Sequence, residues 1–210
     1  MMAIFTLGFD EKFALRALIR RNIDKNDLIV ILTPAGRRDT RAEKAVSNLI
    51  SILKQIVGEP RVERIEIPVE DFTKAVSIVR NIILSRPERP VYINISGSMR
   101  ALVIETLGGA LLSGVDAEIE VEFEDGSHVI SFKPSHLCGE KIDSLDIRIL
   151  SEALKEVELA ELAEKLGEPK PTIWRRVKKL EERNMVTTER KGRKLRIKTT
   201  EKGMLYIASS

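Results

Sequence analysis

Residues 161–203 read ELAEKLGEPKPTIWRRVKKLEERNMVTTERKGRKLRIKTTEKG, and their order of elements decides the fold of the C-terminal third. Glu158–Leu166 is an amphipathic helix followed by Gly167, a residue suited to a left-handed helix end. Gly167-Glu168-Pro169 makes a tight turn, and Pro171 lies in the first turn of a further helix that ends near Asn184. Two short strands, Met185–Glu189 and Leu195–Thr200, then flank Arg190-Lys191-Gly192-Arg193-Lys194, a hairpin with a basic tip. Taken at 100° per residue from Ile173, Val177 lies near about 40° and Leu180 near about 340°, so these three form the core stripe of the long helix. Arg175, Lys179 and Thr172 fall near about 200°, 240° and 260°, on the opposite face, with Arg176 and Lys178 flanking them. Trp174 borders the core face and is expected to pack there rather than to stack on a base.

Charge follows the same division. Residues 170–202 hold 13 basic and 4 acidic side chains, a net of +9. Residues 137–169 hold 4 and 9, a net of −5, and residues 1–136 hold 18 and 19. The formal net charge of +3 therefore conceals one concentrated basic segment, the footprint expected for a polyanion. Helix, tight turn, helix and basic hairpin in this order resemble the winged helix-turn-helix of transcription regulators over the whole quoted stretch. Pro169 departs from the pattern, since such regulators often carry a polar helix cap there. The resemblance implies double-stranded DNA as a partner. Lys170, Thr172, Arg175, Arg176, Lys178 and Lys179 are the candidates on the helix, where Arg is suited to guanine in the major groove. Lys191, Arg193 and Lys194 on the wing suit phosphates or the minor groove.

Upstream, short apolar runs alternate with longer amphipathic ones. Strands are expected at Ala3–Leu7, Leu28–Thr33, Val62–Ile67 and Pro90–Ile95, and helices at Glu11–Arg21, Thr40–Val57, Phe72–Leu84 and Met99–Ser113. Asp71 is placed to cap the third of these helices. A hairpin, Ala117–Phe123 with His128–Phe132, closes the series around an Asp125-Gly126 turn. Four strand–helix units predict an α/β, doubly wound, Rossmann-like sheet, mostly parallel and made mixed by the closing hairpin. The domain is expected to span 1–133. A linker follows at 134–143, and a small α+β domain at 144–210 begins with a helix from Asp143 or Ser144 to about Lys155. Gly108 and Gly109 interrupt the fourth helix and ask for a packing reason, against the sheet or against a second subunit.

In such sheets a ligand sits beyond the carboxyl ends of the strands where their order reverses, between the first and fourth strands in the usual order. The loops there are Leu7-Gly8-Phe9-Asp10 and Asn94-Ile95-Ser96-Gly97-Ser98-Met99-Arg100. Gly97 would allow a close backbone approach, Ser96 and Ser98 offer hydroxyls, the amides of the helix start suit a phosphate, and Arg100 supplies a cation. Thr33-Pro34-Ala35-Gly36-Arg37-Arg38 follows the adjacent strand, and its arginines either reach phosphate or stay solvated. No G-x-G-x-x-G follows the first strand and no G-x-x-x-x-G-K-[ST] occurs, which argues against a dinucleotide cofactor and excludes a P-loop.

The second loop resembles the strand-four signature of CARF domains, the CRISPR-associated Rossmann-fold sensors. In that pattern an acidic residue and an apolar one precede Thr/Ser-Gly-Gly-Thr and a base. Asn94 stands for the acid, Ser96 for Thr/Ser, Gly97 for the first glycine and Arg100 for the base, while Ser98 and Met99 depart from Gly-Thr. A CARF domain followed by a winged helix is the arrangement of archaeal CRISPR-associated transcription regulators, and the likeness runs the length of the chain. It implies a homodimer that binds one cyclic oligoadenylate, cyclic tetra-adenylate first among them, across its two-fold axis. The ligand-binding candidates are Gly8, Phe9, Asp10, Thr33, Pro34, Arg37, Asn94, Ser96, Gly97, Ser98, Met99 and Arg100.

Composition narrows the classes. The chain is 43% apolar, enough for real cores, and 32% charged against about 25% in ordinary domains, with one Gln and one Cys. That balance suits a heat-adapted protein in a reducing compartment. One Cys builds neither a disulfide framework nor a Cys-based zinc site, so no metal is expected. The start of the chain lacks a basic region before its apolar run, and no run approaches the ~20 residues of a membrane span, so a cytoplasmic protein without a membrane partner is expected. His128, His136 and Cys138 have no neighbours in sequence that would make them catalytic, so the chain is read as no enzyme, without a cofactor. Two other classes stand beside the ligand-responsive regulator: a cyclic-oligoadenylate ring nuclease with a DNA-binding domain, and a DNA-binding protein whose first domain only dimerises.

Overall fold

The computed structural model describes residues 1–36, 39–192 and 194–207, so Arg37 and Arg193 lie outside the described residues. The chain divides into two compact units, Met1–Leu137 and Cys138–Ser210.

In the first unit six strands form one sheet: β1 (Met2–Thr6), β2 (Leu28–Pro34), β3 (Arg61–Ile67), β4 (Val91–Asn94), β5 (Ala117–Glu122) and β6 (Val129–Phe132). Their order is β3-β2-β1-β4-β5-β6. The first five run parallel and β6 returns antiparallel to β5. β1 is buried throughout, as a central strand covered on both faces must be. β3 is an edge strand and carries Arg61, Glu63, Arg64 and Glu66, charges that discourage pairing with another chain.

Helices α1 (Lys12–Arg20) and α2 (Thr40–Val57) cover one face of the sheet, with Leu18, Leu49 and Leu53 packed on Phe5, Ile29 and Tyr92. Helices α3 (Phe72–Ser85) and α4 (Arg100–Ser113) cover the other, with Val79, Ile83 and Leu102 on Ile4, Val30 and Ile93. Asp39 caps α2 through the Arg41 amide at 2.8 Å, and Asp71 caps α3 through the Lys74 amide at 3.0 Å. The two glycines of α4 face α3 rather than the sheet. A Cβ on Gly109 would lie 2.6 Å from the Val79 side chain, and one on Gly108 3.2 Å from Val76, so both let α4 close on α3.

Because β5 turns back into β6, no helix follows it to cover β4 and β5 beside α1. Charge takes that place. Arg16 and Arg20 of α1 and Arg21 just after it reach Glu118, Glu120 and Glu122 of β5, with Arg16–Glu122 at 2.5 Å and Arg20–Glu122 at 2.9 Å. Glu120 and Glu122 are buried there, and the Arg21 guanidinium also lies 4.2 Å above the Tyr92 ring.

The second unit holds α5 (Ser144–Glu152), β7 (Val157–Glu158), α6 (Leu159–Leu166), α7 (Lys170–Glu182), β8 (Val186–Lys191), β9 (Lys194–Thr199) and α8 (Glu201–Met204). Its sheet has the order β7-β9-β8, antiparallel throughout. Ile149, Leu162, Ile173, Val177, Leu180 and Ile197 form the core. Gly167, at φ 69°, ends α6 in the left-handed conformation. Asp143 and Asp146 make a reciprocal capping box at the start of α5.

The expected linker, residues 134–143, divides between the two units. Pro134–Leu137 forms a 3-10 turn of the first unit. Residues from Cys138 onward belong to the second, where the Tyr206 hydroxyl accepts from the Glu140 amide at 2.7 Å and donates to the Cys138 carbonyl at 2.9 Å. Buried Lys202 holds the Glu140 carboxylate at 2.9 Å. These partners come from α8 and the residues after it, more than 60 positions away, so the composition of 134–143 gives no sign of them.

Candidate ligand pocket and nucleic-acid face

A cavity of about 430 Å3 opens where the ends of β1, β2 and β4 converge. Leu7, Gly8 and Phe9 line it from β1, Pro34 from β2, Asp39 and Ala42 from the start of α2, and Ser98 and Met99 from the loop before α4. β1 and β4 are neighbours in the sheet, so this is the reversal point of the strand order. Of the expected ligand residues, Gly8, Phe9, Pro34, Ser98 and Met99 meet here. Leu7, Asp39 and Ala42 are added by the fold. Asp39 escaped the sequence reading, which followed this loop only to Arg38; its place at the cavity comes from the fold.

The other expected residues shape the loops instead. Asn94 is buried; its Oδ1 accepts from the Ser96 amide at 3.1 Å and its Nδ2 donates to Glu120 at 3.1 Å. The Ser96 hydroxyl accepts from the Glu122 amide at 2.8 Å, which turns it toward β5. The Gly97 carbonyl accepts from the Thr6 hydroxyl at 2.5 Å. A Cβ on Gly97 would meet the Thr6 carbonyl at 2.8 Å, and one on Gly8 the Ser98 Cα at 2.8 Å. The close approach these glycines allow is thus between the two loops. Thr33 is buried, and its hydroxyl accepts from Arg64 at 3.2 Å. Asp10 accepts from the Lys12 amide at 2.9 Å at the surface, and Arg100 is exposed in the first turn of α4.

Ser98 stands apart. Its φ is +84°, rarely adopted by a residue with a side chain, and its buried hydroxyl has no hydrogen-bond partner among the described residues. A buried hydroxyl left unpaired costs about 1–3 kcal/mol. Phe9 is 59% exposed, with the Arg41 guanidinium 4.3 Å above its ring. The Asp39 carboxyl is held below its ordinary range, chiefly by the Arg41 amide. An ionised carboxylate among apolar walls suits a planar heterocycle better than a phosphate inside the cavity.

In the second unit, α7 buries Ile173, Val177 and Leu180 and turns Lys170, Arg175 and Lys179 to solvent. None of these three cations has an ion-pair partner among the described residues. Thr172 lies beside them, half-buried. Arg176 and Lys178 are engaged elsewhere. Arg176 pairs with Asp143 at 2.6 Å and Asp146 at 3.3 Å, fastening α7 to the cap of α5. Lys178 pairs with Glu181 at 2.6 Å and lies 4.6 Å from the Trp174 ring. Lys191 lies 3.4 Å from Glu189, and Lys194 is held by Glu158 at 2.8 Å. Arg190, not singled out in the sequence, is an exposed wing cation with no ion-pair partner among the described residues.

Residues 1–133 match the family model of the Csa3 CRISPR-associated Rossmann-like domain, and residues 142–187 that of a winged helix-turn-helix DNA-binding domain. The class these define is a CRISPR-associated DNA-binding regulator of two domains. The chain is 31% identical over 199 residues to the CRISPR locus-related protein Csa3 of Saccharolobus solfataricus, covering 91% of this chain and 82% of that one. The chain belongs to the Csa3 family. Among solved structures, AF1382 from Archaeoglobus fulgidus is 28% identical over 30% of this chain and 77% of its own, at a TM-score of 0.29. The PcaV transcriptional regulator from Streptomyces coelicolor is 22% identical over 32% and 51%, at 0.30. Likenesses of that size carry no argument here. Among the described residues no helix is long and apolar enough to cross a membrane.

Proposed function

We propose that the protein is a transcription regulator whose first domain, as a symmetric dimer, senses a cyclic oligoadenylate, cyclic tetra-adenylate first among them. The observation that carries this reading is the cavity at the reversal point, lined by Ser98, whose buried hydroxyl has no hydrogen-bond partner among the described residues. A cyclic oligonucleotide is an anion with rotational symmetry, and a two-fold dimer presents two copies of one pocket to it. Each pocket takes an adenine against Phe9, Pro34 and Met99, and Ser98 supplies a polar contact. The phosphates stay outside the cavity, away from Asp39, within the field of Arg41 and Arg100.

Sensing requires no general base or nucleophile. His128 is an exposed hairpin residue packed on Phe123, and His136 lies in the 3-10 turn, so neither stands at the pocket. Calorimetric titration with cyclic oligoadenylates of different ring sizes, with the ligand recovered and its integrity checked, tests the reading. One intact ring bound per dimer is expected. Binding of none of them would refute the sensor, and steady conversion to linear products would make the protein a ring nuclease.

A further inference from the structure

Between the starts of α6 and α7 and the wing lies a groove of about 610 Å3. Trp174, Lys170, Arg190 and Lys194 line it, together with Glu158 and the apolar side chains of α6 and β9. Two of its cations, Lys170 and Arg190, have no ion-pair partner among the described residues, whereas Lys194 is neutralised by Glu158 at 2.8 Å. Trp174 is half-buried, and the Lys178 ammonium rests 4.6 Å from its ring centre. That cation sits over one ring face, and the indole N–H has no hydrogen-bond partner among the described residues.

We propose that this groove seats the sugar–phosphate backbone of DNA, with the Trp174 N–H and the Lys170 and Arg190 cations directed to one phosphate. The proposal rests on the DNA-binding reading of the winged unit and adds to it a role for Trp174, which sequence periodicity assigned to packing. Lys178 acts as a positioning residue, fixing the ring through its ammonium while Glu181 anchors it at 2.6 Å. The Lys194–Glu158 pair ties the wing to the start of α6. Its carboxylate repels phosphate, so the backbone runs on the Trp174 side.

Trp174 is the single tryptophan of the chain, so its fluorescence reports on this groove alone. The full-length protein is titrated with a labelled duplex from its own CRISPR locus. Anisotropy reads binding, and iodide quenching of Trp174 reads shielding in the same tubes. The expected result is strong protection of the indole from iodide at saturation. Trp174→Phe should weaken binding roughly three- to ten-fold, the size of one hydrogen bond, and leave the salt dependence unchanged. Arg190→Ala should lower the slope of log affinity against log salt by about one, while Lys194→Ala leaves it near the wild-type value. Unchanged quenching at saturating DNA, or wild-type affinity of Trp174→Phe, would overturn the groove assignment while DNA binding itself stands. Absence of binding to any duplex, specific or not, would overturn the DNA-binding reading and the groove with it. The wild-type quenching measurement decides the matter even where the phenylalanine variant folds poorly.

Discussion

Arg175 and Arg176 are neighbours in sequence with opposite work to do. Arg175 is exposed and has no ion-pair partner among the described residues, whereas Arg176 is fastened to Asp143 and Asp146 at the start of α5. Arg175→Ala is expected to weaken specific DNA binding by roughly 1–3 kcal/mol if it reads a base. Arg176→Ala is expected to lower the melting temperature of the second unit, because Asp146 is buried and loses its cation, with a smaller effect on affinity per folded molecule. Thermal unfolding and gel-shift titration of both variants check this, and the reverse pattern would contradict it. The core stripe Ile173, Val177 and Leu180 was legible from helical period alone. The engagement of Arg176 and Lys178 was not, because period shows which way a residue faces and not which carboxylate waits 33 positions upstream. The same limit applies at the pocket. Asn94, Ser96 and Gly97 carried the motif, but their hydrogen bonds run to Glu120, Glu122 and Thr6 on neighbouring strands.

At the scale of elements, α4 is where local preference and packing pull apart. Alanine favours a helix over glycine by about 1 kcal/mol. At Gly109, however, the added methyl would stand 2.6 Å from the Val79 Cβ and 3.0 Å from the Arg80 backbone nitrogen, neither of which yields cheaply. Gly109→Ala is therefore expected to destabilise the first unit by about 1–3 kcal/mol in denaturant unfolding, and Gly108→Ala distinctly less, since Val76 sits at 3.2 Å. Equal stability of Gly109→Ala and wild type would show that α3 and α4 do not pack as described. The same helix buries Glu105, whose Oε2 has no hydrogen-bond partner among the described residues, and burial pushes its carboxyl pKa up. A raised folded pKa means the native state holds the proton more tightly than the unfolded chain. The penalty is thus absent below the unfolded pKa and grows as pH rises above it. Glu105→Gln is expected to raise stability at pH 7 and to leave it unchanged near pH 3, measured by urea unfolding at both. A loss at pH 7 would mean that the carboxylate has a partner in solution. The strand and helix order of this unit was readable from alternating apolar runs. The charged layer of Arg16, Arg20 and Arg21 on β5 was not, since it arises from a helix that β6 displaces.

At the scale of the whole molecule, the proposed function requires that a ligand in the first domain alter DNA binding by the second. The units join between Leu137 and Cys138, and residues 138–143 are fastened to the second unit by Tyr206 and Lys202. The effect needs no atom of the ligand near DNA. A symmetric dimer reads two half-sites, and a change at its axis alters how both fit. Linkage also demands reciprocity, so a ligand that tightens DNA binding is itself bound tighter on DNA. Allosteric couplings of this kind are typically on the order of 1–3 kcal/mol, or about five- to 150-fold in affinity. The most direct test is a titration of duplex from the CRISPR locus with and without saturating cyclic tetra-adenylate, for wild type and Ser98→Ala. The account predicts that the ligand shifts the wild-type midpoint at least about five-fold. It also predicts that Ser98→Ala binds DNA as wild type does without ligand and loses the shift. Superimposable wild-type curves, under conditions where calorimetry shows the ligand bound, would contradict it.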